Sequence, residues 1–253
     1  MQVQKMLVAG KGAACTLGVG FARSHAEMEE AQRLRYQIFA EEMGARLDGA
    51  RRIDADRFDE FCRHLIVRDL DSGEVVGTYR ILAPDAARAA GGYYSEQEFD
   101  LGRLAPLRES LVEVGRSCIH ADYRSGGVIM LLWSGVFRFM REHRHEHLMG
   151  CASISMADGG HAAASIWARV GERHLAPGEY RVFPRLRLPV ESLDAGVGAV
   201  LPPLIKGYLN LGAWVCGEPA WDPDFNTADL PALLSLARMT PRYARHFLGT
   251  VPA

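Results

Sequence analysis

The residues best placed to do chemistry lie in LVEVGRSCIH, residues 111–120, where Glu113 and Arg116 interrupt an apolar run. A charge inside a buried strand costs several kcal/mol, by rough estimate, unless it is paired. Both residues therefore need a partner or a task. Strict alternation would send positions three apart to opposite faces of the strand. A bulge at Gly115 would bring them onto one face, and bulges commonly sit beside active sites. A carboxylate held there is a candidate general base.

The next group follows directly. Arg124, Ser125, Gly126 and Gly127, with Val128 opening a helical run, form a basic, glycine-rich turn ahead of a helix. Free N–H groups and the helix dipole at such a position favour an anion such as a phosphate. A tight turn that needs glycine for its backbone explains the same residues equally well. His64 and Asp69 have the H-x-x-x-x-D spacing of an acyltransferase base, but their odd separation on a strand sends them to opposite faces. His143, His145 and His147 alternate as metal ligands on a strand could. We read that stretch as a solvated turn between helix and strand, and expect no metal. Cys118 with His120 lacks a third group, and no G-x-S-x-G elbow is present.

Specific elements must position these residues. Ser24 and Glu27 form a capping box ahead of a periodic run that closes at Gly44, which predicts a helix over 25–43. Its apolar face packs on a sheet. An irregular start should lead into a strand at 16–22, and 45–61 is polar and irregular. HLIVRD and EVVGTYRILA, joined by DSG, read as a hairpin. Residues 84–110 read as a long loop with short helical pieces. A strand at 111–120, a helix at about 127–143, a strand at 148–154 and a helix from 161 to Gly171 follow. This order predicts an α/β fold with a mixed sheet. The core domain is expected over 18–184, and the changed punctuation beyond Pro184 marks a C-terminal extension, 185–253, packed on it.

The totals narrow the class. With 253 residues, 48% of them hydrophobic, and a net charge of −2, the chain can bury a substantial core and carries no global signature of a nucleic-acid partner. Five widely spaced cysteines without a Cys-x-x-Cys pair suit a reducing cytoplasm. No run of 18 apolar residues could span a membrane. Leu201, Leu204, Ile205, Tyr208, Leu211 and Trp214 recur at near-helical spacing beside Lys206. That face suits either an interfacial helix in peripheral contact with the inner membrane or, the reading we prefer, a helix packed on a core.

The strand, YRSGG turn and helix resemble the fourth strand, carrier-binding loop and following helix of the GCN5-related N-acyltransferase fold. The match to the usual Arg/Gln-x-x-Gly-x-Gly/Ala loop is partial, which the resemblance makes compatible with a donor bearing one phosphate: the acyl-phosphopantetheine of acyl carrier protein, with no cofactor besides. Arg35 and Phe39, Asp56 and Asp59, Arg80, and Glu113 with Arg116 resemble in order the charged signature of acyl-homoserine-lactone synthases. FDEFCRHLIV, GTYRIL, GGYYSEQEFDL, VEVGRSCIHADYRSGGVIMLLW and LPPLIKGYLNLGAW are more similar still to bacterial L-ornithine N-alpha-acyltransferases, over about 18–247. The resemblance implies transfer of a 3-hydroxy fatty acyl group from acyl carrier protein to the α-amine of ornithine. It makes Glu113 and Arg116 catalytic, Arg35, Phe39, Asp56, Asp59 and Arg80 substrate-binding, and residues 124–128 the donor's phosphate site. The carboxylates of Asp56 and Asp59 would suit the second ammonium of a diamino acid. At least two of the charged residues are expected to serve structure alone. An acyl-homoserine-lactone synthase, another amino-acid N-acyltransferase and a non-catalytic acyl carrier or lipid-binding module retaining the fold are the alternatives.

Overall fold

The computed structural model describes residues 4–10 and 13–249. Ser24 caps α1 (His25–Tyr36), its Oγ accepting the Glu27 N–H at 3.2 Å. The helix then widens into a π-helical turn over Gln37–Glu42, closed by the Met43 N–H donating to the Ile38 carbonyl at 3.0 Å. Such π-segments are rare and frequently sit at functional sites. Here the turn carries Phe39 and Glu42 toward the cavity described below.

The chain before α1 forms a hairpin of β1 (Gln4–Gly10) and β2 (Ala13–Phe21). An irregular start was expected there, and its residues 1–3, 11 and 12 lie outside the described ones. The expected hairpin is β3 (Arg63–Asp69) and β4 (Val75–Leu82). The long connection to β6 (Leu111–Ile119) holds α2 (Pro84–Ala89) and a short strand, β5 (Phe99–Asp100), paired with β8 (Phe183–Pro184). After β6 come α3 (Gly127–Glu142), β7 (His147–Ser155) and α4 (His161–Arg173). The last segments are α5 (Pro203–Leu211), β9 (Trp214–Val215), β10 (Ala220–Asp222), β11 (Thr227–Ser235) and α6 (Pro241–Leu248).

The main sheet runs β1-β2-β3-β4-β6-β7-β11-β10, with β9 also on β11. Its neighbours are antiparallel except β6 and β7, which α3 joins as a parallel pair. Residues beyond 185 thus place strands in the same sheet as the rest. Val112, Val114, Leu148, Ala152 and Ile154 turn to one face, where α3 to α6 cover them in the largest apolar cluster. On the other face Leu82, Leu111, Met149 and Leu233 meet Phe58, Tyr93 and Phe99, while Leu34 and Ile38 of the first helix pack on Cys118.

Ile205, Tyr208 and Leu211 are buried in the main cluster, and Trp214 belongs to a strand. The periodic face of 201–214 is therefore a core face, and it is not available as an interfacial one. His143 ends α3 with Nδ1 on the Phe139 carbonyl at 2.9 Å, and the turn continues through Arg144 at φ 57°. Among the described residues no helix is long and apolar enough to cross a membrane.

Candidate active site

The parallel ladder between β6 and β7 is short. It pairs Leu111 with His147, Val112 with Leu148 and Glu113 with Met149, and there it ends. Beyond that point the two strands separate. A cavity of about 700 Å³ enters the opening and reaches both faces of the sheet. On the helix-covered face it is lined by Tyr79, Val114, Trp133, Leu204 and Tyr208; on the other by Arg80, Glu113, Arg116, Cys151, Ser153 and Asp229. One end is thus apolar and aromatic, and the other is charged.

Glu113 and Arg116 stand at the separation. Across β4 and β6, Thr78 pairs with Cys118 and Arg80 with Gly115, so β6 carries one residue more than β4 between them. The left-handed residue of this bulge is Arg116, at φ 51°, next to the glycine where a bulge was expected. The extra residue corrects the parity, and Glu113 and Arg116 both line the cavity. Glu113 is 4% exposed. Its carboxylate accepts the N–H of Tyr94 at 2.7 Å, the N–H of Ser95 at 2.8 Å and the Ser95 hydroxyl. Burial pushes its pKa up, and the hydrogen bonds from Ser95 and Tyr94 together with the Arg80 charge offset part of that rise. A carboxylate raised from its usual range and fixed at a cavity wall is suited to taking a proton from an ammonium.

Arg116, Arg80 and Arg35 belong to one network. Arg35 donates to Asp54 at 2.8 Å and to Asp59 at 2.8 and 3.1 Å. Arg80 donates to Asp56 at 2.7 Å and lies 3.5 Å from Asp59. Arg116 donates to Asp54 at 3.1 Å and Asp56 at 3.2 Å, its guanidinium within 5 Å of the rings of Tyr94 and Phe225. Three cations thus meet three carboxylates. Burial alone would raise the pKa of Asp59, but the Arg35 and Arg80 charges hold it below the usual carboxylate range.

Of the residues expected to bind substrate, Phe39 and Arg80 line the cavity, and Phe39 sets its ring against Phe225 with centroids 5.7 Å apart. Arg35, Asp56 and Asp59 do not line it. Asp56 and Asp59 direct their carboxylates at guanidinium groups, so the second-ammonium role expected of them does not fit their geometry. Asp54, which joins Arg35 to Arg116, was missed in the irregular stretch because nothing periodic marks it. The other missed group is Glu98, Asp222 and Asp229, whose carboxylate oxygens lie within 4.8 Å of one another.

The residues expected to hold a phosphate flank the cavity. Gly126 caps α3 in the left-handed conformation, φ 102°, with no side-chain bond to the first turn. Gly127 and Val128 open the helix, with Ser125 before them. Arg124 and Gly126 line the cavity, and Arg124 donates to Glu42 at 2.6 Å and to the Ile119 carbonyl at 3.0 Å. His64 and Asp69 are apart in function as well as face: His64 Nε2 meets the Asp59 carbonyl at 3.0 Å, and Asp69 accepts the Tyr123 hydroxyl at 2.7 Å. At the apolar end Trp133 stacks on Tyr208 at 6.2 Å, and a Cβ on Gly207 would lie 2.3 Å from the Trp133 ring.

A mixed sheet whose parallel central strands part over a cavity, with a glycine-capped helix following the first of them, matches known proteins at fold level. A family model described as an acetyltransferase (GNAT) domain matches residues 34–134. Among solved structures the chain is similar to the AHL synthase LasI, with a TM-score of 0.52 and 13% identity over 99% of this chain and 98% of that one. It is also similar to FeeM, an N-acyl amino acid synthase from uncultured soil microbes, with a TM-score of 0.52 and 14% identity over 88% and 94% of the two chains. The protein has the GNAT fold.

Sequence relatives narrow this. The chain is 35% identical to the L-ornithine N(alpha)-acyltransferase of Brucella abortus over 98% of this chain and 96% of that protein. It is also 35% identical to the enzyme of the same name from Rhodobacter capsulatus, over 92% and 95%. The chain belongs to the L-ornithine N(alpha)-acyltransferase family.

Proposed function

We propose that this protein transfers a fatty acyl group, 3-hydroxylated, from the phosphopantetheine thioester of acyl carrier protein to the α-amine of L-ornithine, forming lyso-ornithine lipid. The observation that carries the reading is the parting of β6 and β7 at Glu113, which sets a buried carboxylate on the wall of a cavity reaching both faces of the sheet. The α-ammonium gives a proton to Glu113, directly or through water, and the free amine attacks the thioester carbonyl. Backbone N–H groups released where the ladder ends stabilise the oxyanion, and as the intermediate collapses the C–S bond breaks and the second proton of the attacking nitrogen passes, directly or through water, to the departing thiolate. Arg116 positions Asp54 and Asp56, while the start of α3 and Arg124 hold the donor's phosphate once Arg124 leaves Glu42. The aromatic end takes the acyl chain. The reaction is cytoplasmic, and its one-chain product leaves to the adjacent membrane.

The test is the purified chain with acyl carrier protein thioesters and a panel of amino acids, read by mass spectrometry. N-acylornithine should dominate, with acyl carrier protein favoured over acyl-coenzyme A at matched concentration. Equal turnover with the two donors overturns the donor assignment. Glu113→Gln should lower turnover by about two to four orders of magnitude. Near-normal turnover across pH in a folded variant places the base elsewhere.

A further inference from the structure

Resting on the reading of ornithine as acceptor, we propose that Glu98, Asp222 and Asp229 form the binding site for the side-chain ammonium of the amino-acid substrate. The three carboxylates come from separate parts of the chain. Glu98 lies just before β5, Asp222 ends β10, and Asp229 sits within β11 opposite Ser153 of β7. All three line the cavity that Glu113 lines.

Their chemistry is that of a site short of a cation. Asp229 is 3% exposed and its Oδ1 is buried without a hydrogen-bond partner, as is Oε2 of Glu98. Among the described residues no Lys, Arg or His forms an ion pair with any of the three, in a chain where the other buried aspartates of the site each meet an arginine. Burying carboxylates this way is costly unless something neutralises them. Without a ligand the cluster favours holding a proton: burial and then the charges of Asp229 and Asp222 push Glu98 well above the usual range against the opposing charge of Arg116, and burial with the charge of Asp222 pushes Asp229 up to about 6 against hydrogen bonds from Ser153 and Thr227. A primary ammonium offers three N–H donors, and unspent acceptor oxygens of three converging carboxylates match them.

The placement also suits the substrate's shape. The cluster lies on the β7–β11–β10 side of the parting, and Glu113 lies on the β6 side. Ser95 stands between the strands, its hydroxyl meeting Glu113 and lying 3.3 Å from Cys151 Sγ, which lines the same cavity. A diamino acid lying across the opening would present one amine to each carboxylate group. The cluster then selects for the second amine, while Glu113 acts on the first.

The experiment compares ornithine with norvaline, which lacks only the side-chain amine, using the full-length chain. Ornithine binding to the wild type is measured by calorimetry without donor, and acylation of both amino acids is measured with an acyl carrier protein thioester. Glu98→Gln and Asp229→Asn should each lower the ornithine-to-norvaline preference in kcat/KM on the order of 100-fold, mainly through the KM for ornithine. Wild-type affinity for ornithine should rise with pH through about 6 as Asp229 gives up its proton, and norvaline should show no such rise. The second measurement needs no variant to fold. An unchanged preference in folded variants, or the same pH profile for both amino acids, overturns the proposal. So does Mg²⁺, Mn²⁺ or Ca²⁺ raising the melting temperature of the wild type but not of Asp229→Asn while the preference stays unchanged, since the cluster is then a metal site. Ornithine that binds with the expected pH profile but is never acylated would sink the acyltransfer reading and leave the ammonium site standing.

Discussion

Two groups of three carboxylates stand within one site and have opposite fates. Asp54, Asp56 and Asp59 face Arg35, Arg80 and Arg116, and every charge is met. Glu98, Asp222 and Asp229 face one another and an open cavity. Burial is similar for the inner members of each group, so burial alone does not tell structure from function. What separates them is whether the protein supplies the counter-charge itself. A group that is already neutralised holds the fold, and one that is not can bind.

The same substitution should therefore act with opposite sign in the two groups. Asp59→Asn leaves Arg35 buried beside half of its compensation and should destabilise by about 3–5 kcal/mol, seen as a large drop in the denaturation midpoint. Asp229→Asn should stabilise the ligand-free chain. The folded-state pKa of Asp229, about 6, exceeds its unfolded value, so the folded state binds the proton more tightly. Its contribution is fully present below pH 4 and is lost as pH rises through about 6. At pH 8 the variant should gain roughly 2–3 kcal/mol over wild type, and at pH 4 nothing. A melting curve at the two pH values checks this, and a gain of equal size at both would dissolve the contrast. The smallest effect belongs to Asp56→Asn, because that carboxylate is 23% exposed and water can replace it; about 1 kcal/mol is expected. A loss as large as that of Asp59→Asn would mean that the network acts as one unit.

The sequence disclosed Glu113 and Arg116 far better than the unpaired carboxylates beside them. Glu113 and Arg116 were legible because a charge in an apolar strand is costly, and the bulge needed to reconcile their spacing is present. Asp229 carried the same signal, a carboxylate beside Leu230 in a strand rich in apolar residues, but without pairing there was nothing to say which face it took. Glu98 lies in a turn and Asp222 at the end of a short strand, places where acids are ordinary. The antiparallel pairing of β11 with β7 sets Asp229 opposite Ser153 on the cavity's charged side, and Glu98 meets it there from a distant part of the chain. Asp54 was hidden for a related reason: an irregular stretch has no period from which to read direction. The helix at 25–43 was legible in its start and not in its π-helical end, since that turn depends on what its side chains meet.

The contact between Gly207 and Trp133 bears on the product. Trp133 forms part of the cavity's aromatic wall, and even a methyl group at 207 would have to displace the ring. On the proposed reading, that wall is the stop against which the tail of the fatty chain comes to rest. The length of the lipid's hydrocarbon, and with it how deeply the lipid sits in a bilayer leaflet, then depends on a single hydrogen atom on α5.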